Sequence, residues 1–371
     1  MKMKTNVDRR INLLSLCILM ALIFTGIYSC TGQKPNDKVF AAFELRMNGH
    51  ADSAKVILEN ITADYPENAM AWFELCRTTQ HLGLSNPREI KSSIDNALKY
   101  INLAVENAPG NVYFLSYKGK IETLHFYMAL QTGDEKAPEY LAKVEDTFKN
   151  VFEMDKTYPE DKITLVEFFA GLPPEMGGNR EKAEKYAAEL EKDDLVAGAK
   201  AREILMDENA DYESFWKKII EKAPNNADAL QALGRVYLFS DDINQAAEYF
   251  QKAINLDASK NTLYLDLGRY YLMMAMQNPA ILDSVAPLIE VQYNKFLSSV
   301  PEPVKPLKAW AYGNLSMVAE HSRNISKSEE FLAQAKESDP FFSMAFGKPS
   351  KALFSQPDVV LHEQDYYLSP F

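Results

Sequence analysis

The chain has 371 residues, is 47% hydrophobic and 25% charged, and carries 18 prolines against 15 glycines. That balance excludes a collagenous, low-complexity or disordered chain, because apolar material for a core is ample. Lys plus Arg at 40 against Asp plus Glu at 52 gives a net charge of −12, which argues against nucleic acid as a partner, and three cysteines with five scattered histidines supply neither a disulfide framework nor a metal cluster.

Lys2, Lys4, Arg9 and Arg10 lead into an apolar run from Ile11 to Phe24, then Thr25-Gly26-Ile27-Tyr28-Ser29-Cys30 and a polar stretch. A charged start, a short apolar core and a small residue before the cut predict an export signal over residues 1–29. Ile27-x-Ser29-Cys30 resembles the bacterial lipobox, with Tyr28 where a small residue is usual. The resemblance implies that Cys30 becomes diacylated and that residues 30–37 are a tether to the membrane. The alternative is an uncleaved membrane anchor, since the apolar run is nearly long enough to span a bilayer. In both cases the basic flank stays inside and everything after residue 30 lies outside the cytoplasm. Cleavage before Cys30 leaves Cys76 as the one free thiol.

Beyond the tether the chain repeats itself. Ala54, Leu58 and Ile61 form an apolar helical face that ends at Pro66. Trp72, Leu75 and Cys76 open a second unit, which Ala97, Ile101, Ala104 and Pro109 close. Leu115 and Gly119 open a third, ending around Val144, Phe148 and Val151. Ala183, Ala187 and Leu190 mark another second helix, as do Tyr212, Trp216 and Ile219 before Pro224. The register is clearest next: Leu230, Leu233-Gly234 and Tyr237, then Ala246, Phe250 and Ala253. Tyr264, Leu267-Gly268 and Tyr271 repeat the opening, with Ile289, Tyr293, Phe296 and Pro301 as the close. Tyr312, Leu315, Leu332, Ala335 and Pro340 form the last pair, and an extra turn is expected through Phe354.

The spacing large-x2-Leu-Gly-x2-Tyr, then Ala-x3-Phe-x2-Ala, resembles the tetratricopeptide repeat. Residues three and four apart share a helical face, the small residue lets paired helices approach, and the late proline stops the second helix. The resemblance implies an all-α fold, a right-handed superhelical solenoid of about eight helical hairpins over residues 38–354, with 355–371 as an extended tail. Each hairpin buries its apolar face only on its neighbours. Trp72 to Ala97 and Tyr264 to Ile289 each span 25 positions, against 16 for Leu230 to Ala246, which predicts long loops at 85–93 and 277–287 or extended helices there. Cys76 takes the small slot held by Gly234 and Gly268, which makes it a buried structural thiol.

No phosphate-binding, dinucleotide, zinc-protease or nucleophile-elbow motif is present, so the reading is non-enzymatic, with no catalytic residue, metal or cofactor. The acidic pairs Glu145-Asp146, Asp207-Glu208 and Asp241-Asp242 read as solvated faces, caps and turns. The loop 168–183 contains Pro173-Pro174 and Gly177-Gly178, with Asn179 as N-cap of the following helix; Arg180 beside the glycines would favour an anion, but a structural turn satisfies the same residues. This loop, with the lipobox, resembles extracytoplasmic lipoproteins similar to the T component of TRAP transporters.

In tetratricopeptide solenoids the first helix of each hairpin lines a concave groove, and the slot after the small residue points into it. Here the resemblance places Arg77, Lys120, Arg235 and Arg269 in those slots, with Phe73, Tyr113 and Trp310 as nearby apolar contacts. A cationic ladder would attract acidic groups, although each cation would equally serve to pair with an acid on an adjacent helix. The expectation is a lipoprotein of the bacterial cell envelope, at the outer membrane facing periplasm or cell surface. It would dock an envelope protein or peptide in the groove; the alternative is a transporter accessory holding a small ligand in the superhelix.

Overall fold

The computed structural model describes residues 35–341 apart from Pro87. The signal 1–29, the lipidation site Cys30, the turn through Phe354 and the tail 355–371 lie outside the described residues.

Sixteen α-helices, and no strand among the described residues, form eight consecutive hairpins. They are α1 (Pro35–Met47) with α2 (Ala51–Asp64), α3 (Ala69–Leu84) with α4 (Ile90–Asn107), and α5 (Val112–Thr132) with α6 (Ala137–Met154). Then come α7 (Pro159–Gly171) with α8 (Arg180–Asp193), and α9 (Leu195–Ile204) with α10 (Tyr212–Lys222). The series ends with α11 (Ala227–Phe239) and α12 (Ile243–Leu256), α13 (Leu263–Gln277) and α14 (Leu282–Leu297), and α15 (Lys305–His321) and α16 (Ile325–Ser338). Short 3-10 turns at Pro174–Met176, Ala258–Thr262 and Pro279–Ile281 join some of them. Helices begin where the local chemistry allows. Pro66, Pro109 and Pro224 each precede by two residues an asparagine that caps the next helix: Asn68, Asn111 and Asn226 accept from the backbone N–H of Ala71, Phe114 and Ala229 at 3.0, 3.1 and 3.0 Å.

The small slots set how closely paired helices approach. A Cβ added at Gly119, Gly234 or Gly268 would stand 2.1, 2.5 or 2.4 Å from the ring of Phe148, Phe250 or Tyr293 respectively. Cys76 is fully buried among Phe73, Ala97 and Ile101, and burial pushes its thiol pKa far up.

One expectation needs correction. Residues 35–37 belong to α1 rather than to a tether, with Pro35 at the position where a missing N–H costs nothing. Of the two alternatives for the 25-residue spacings, extended helices hold: α4 begins at Ile90 and α14 at Leu282, so Pro287 lies inside a helix.

The solenoid also returns on itself. The His81 imidazole (α3) meets the Asp339 carboxylate, just past α16, at 2.7 Å, both side chains buried. Beside them Gly49, at φ +83°, leaves room for the Ser338 carbonyl, which would lie 2.5 Å from a Cβ there. Val304, before α15, packs on Phe43 and Met47 of α1. The eighth hairpin thus touches the first and second.

Candidate protein-docking groove

The first helices of successive hairpins share one lined surface. A cavity of about 880 Å³, open to solvent, is bounded by α7, α9, α11 and the start of α13. On α11 its wall is Asp228, Gln231, Arg235 and Phe239, spaced three or four residues apart and so on one face. Phe239 is 69% exposed, a large apolar ring presented to water.

The charge of this stretch is acidic. Glu160, Glu167, Glu203, Glu208, Asp228, Asp257 and Asp266 face three cations, Lys200, Arg235 and Lys260. Lys200 bonds Glu160 at 2.7 Å and Asp228 at 3.0 Å, and Lys260 pairs with the other oxygen of Asp228. Burial pushes the Asp228 pKa up, but the two ammonium groups outweigh it and hold the carboxyl down at about 2. Glu203 goes the other way: burial raises its pKa against the hydrogen bond it accepts from Trp216 Nε1 at 2.9 Å. Among the described residues no group of His, Cys, Asp and Glu is arranged to hold a metal ion.

The residues expected in the groove fall into different environments. Phe73 is 1% exposed, stacked on Phe114 at 4.7 Å and set edge-on to Tyr117 at 5.2 Å. Arg77 is 3% exposed, lies over the rings of Phe43 and Phe73 at 5.6 and 5.3 Å, and pairs with Glu74 at 3.7 Å. Trp310, 4% exposed, packs on Tyr293 under the Arg269 guanidinium. Burial makes Phe73, Arg77 and Trp310 parts of the core, which corrects the expectation that they line open surface. Tyr113 is half-buried against Phe73. Lys120 is half-buried, and its charge opposes the burial that raises the pKa of Asp161. Arg235 and Arg269 come together on Asp266, at 4.0 and 3.5 Å. Of the ladder, then, Arg235 lines the cavity and shares Asp266 with Arg269, while Arg77 pairs with Glu74 and Lys120 acts on Asp161.

The acids holding these arginines were missed. Glu74 takes Arg46 at 2.6 Å as well as Arg77, so a carboxylate between two guanidiniums occurs twice. Glu74 and Asp266 stand 192 residues apart, two before the equivalent small slots Cys76 and Gly268. That shared register was the available signal.

The loop 168–183 is a turn. Asn179 caps α8 by accepting from Lys182 N at 3.0 Å, a Cβ at Gly178 would overlap the Leu172 carbonyl, and Arg180 donates to the Leu205 carbonyl. Asp242 caps α12, as expected of the third acidic pair. Glu145 departs from a solvated face: it accepts from Lys182 at 2.7 Å and from the Tyr186 hydroxyl at 2.6 Å.

Residues 227–260, which hold α11 and α12, match the tetratricopeptide repeat family. No curated protein sequence matches the chain. Among solved structures it is similar to a thermophilic TPR protein of Thermus thermophilus, TTC0263, at 18% identity and a TM-score of 0.37, covering 64% of this chain and 99% of that one. It is similar to yeast Tom70 at 11% identity and a TM-score of 0.36, covering 91% and 77%. A third, YrrB, described as a TPR protein with an unusual peptide-binding site, gives 14% identity and a TM-score of 0.27 over 63% and 92%.

Proposed function

We propose that this chain is a tethered, non-enzymatic interaction scaffold of a bacterial envelope, docking a protein or peptide segment along the inner face of its repeats. The observation that carries the reading is the open cavity on α7, α9 and α11, with Phe239 exposed at its rim among ion pairs. An exposed aromatic amid polar groups is the composition of a binding hot spot, where one ring is desolvated inside a polar rim. The acidic wall suits a segment bearing Lys or Arg better than an acidic one. A transporter accessory would need an enclosed apolar pocket; this cavity opens to water and carries ten charged side chains, so docking is the reading its shape favours. The leader and Cys30 support attachment to a membrane by two acyl chains or more.

A photo-crosslinking residue at Phe239 should capture a discrete partner in intact cells. The same residue at Lys252, exposed on the second helix α12, should not. Identical products at both positions would overturn the docking reading. Cys30→Ser should release the protein from the membrane fraction if the anchor is a lipid.

A further inference from the structure

A smaller cavity lies apart from the acidic one, where the second hairpin meets the third. It measures about 240 Å³ and shares no residue with the larger. Leu98 and Asn102 of α4, Lys118, Glu122 and His125 of α5, and Tyr140 and Lys143 of α6 line it. Within each helix these residues are three or four apart, so each helix turns one face to the cleft. One side is apolar. The His125 and Tyr140 rings meet edge to face at 4.4 Å between centroids, with Leu98 nearby. Burial, helped by the charges of Lys91 and Lys143, lowers the His125 pKa against the pull of Asp95, 3.5 Å from Nε2, so the ring is uncharged at neutral pH.

The other side carries more cation than acid. Lys118 and Lys143 stand against one carboxylate, Glu122, and both ammonium charges reach it. That carboxylate is already engaged: its Oε2 accepts from Thr147 Oγ1 at 2.7 Å, while Lys118 Nζ stays 3.7 Å from Oε1, beyond hydrogen-bond length. Lys143 is exposed, holds its ammonium 5.5 Å from the Tyr140 ring centroid and forms no ion pair among the described residues. The Asn102 amide and the Tyr140 hydroxyl likewise have no hydrogen-bond partner among the described residues. Two ammonium groups, an amide and a hydroxyl can all donate to an anion, and charge-assisted bonds of this kind are the strong ones. Drug-sized ligands occupy about 300–1,000 Å³, so this cleft admits a smaller molecule.

We propose that this cleft binds a small organic acid, its carboxylate held by Lys118 and Lys143 and its apolar end against Leu98 and the rings of His125 and Tyr140. The site stands or falls independently of any segment docked beside Phe239.

Benzoate, a carboxylate on one flat apolar ring, is the probe. Equilibrium dialysis of the full chain against 14C-benzoate at neutral pH and low salt should show one saturable site. Lys118→Gln and Lys143→Gln should each weaken binding by roughly fivefold or more, whereas Lys252→Gln, exposed on α12, should leave it unchanged. Glu122→Gln removes the acid that competes for the same cations and should tighten binding by roughly twofold or more. Cyclohexylammonium, similar in size and opposite in charge, should not compete. Inorganic phosphate, which has no apolar end, should compete roughly tenfold more weakly than benzoate itself. Absence of saturable benzoate binding would overturn the proposal, as would binding that Lys143→Gln leaves intact. Phosphate competing as well as benzoate would overturn it too, by reducing the cleft to a site for charge alone.

Discussion

His81 and Asp339 are 258 residues apart, yet their imidazole and carboxylate are 2.7 Å from each other in a buried setting. The pair ties the end of the last hairpin to the second. Removing one partner leaves the other buried without that bond, a loss of about 1–3 kcal/mol. Asp339→Ala should lower the urea midpoint accordingly and enlarge the radius of gyration in solution scattering. Gly49→Ala, which would push on the Ser338 carbonyl, disturbs the same junction. The two substitutions should therefore be less than additive when combined.

The tight glycines give a second expectation. Gly119→Ala, Gly234→Ala and Gly268→Ala each force a Cβ against an aromatic ring, and each should cost about 1–3 kcal/mol by overpacking. Gly110→Ala meets nothing within 4 Å and should be close to neutral. Thermal unfolding of the four variants checks the contrast. A neutral Gly234→Ala would show that α11 and α12 can part without loss.

Two carboxyls should shift stability with pH in opposite senses. Asp228 is held at about 2, below its unfolded value of about 3.9. Its contribution is complete above the unfolded value and disappears as pH falls toward 2; Asp228→Asn should weaken the protein at neutral pH and converge with it in acid. Burial raises the Glu122 pKa, although Thr147 Oγ1 donates to it at 2.7 Å. A raised carboxyl contributes stability at low pH that is lost as pH rises through the folded value. Glu122→Gln, able to accept the same bond, should therefore gain stability relative to the parent near pH 7 and lose that advantage below about pH 4. Melting curves between pH 2.5 and 8 test both signs.

Cys76 should be inert. Burial keeps it a thiol, and the thiolate is the reactive form. Alkylation of Cys76 by iodoacetamide at pH 8, followed by peptide mass, should be about 100-fold slower than for a free thiol and become normal in denaturant. Rapid native labelling would mean that the packing between α3 and α4 opens readily.

The sequence made the hairpins legible because their signals are local. Leu230, Gly234, Ala246 and Phe250 repeat a spacing that any amphipathic helix pair must satisfy, and the small slot at Cys76 follows from register alone. Helix boundaries in the stretched units were less legible, since an apolar period cannot distinguish a loop at 85–93 from added helical turns. The arginines of the expected ladder were read without their acids, although Glu74 and Asp266 sit three residues earlier on the same helices. Contact between His81 and Asp339 had no local signal; it depends on the sum of all the small rotations between hairpins.

That closing contact has a consequence for how the protein can change. An open array tolerates gain or loss of a module of about 34 residues at a modest cost, because each unit answers only to its neighbours. Here an inserted or deleted module would swing Asp339 away from His81 and the Ser338 carbonyl away from Gly49. Among the described residues the hairpins number eight, and that is the count at which the two ends meet.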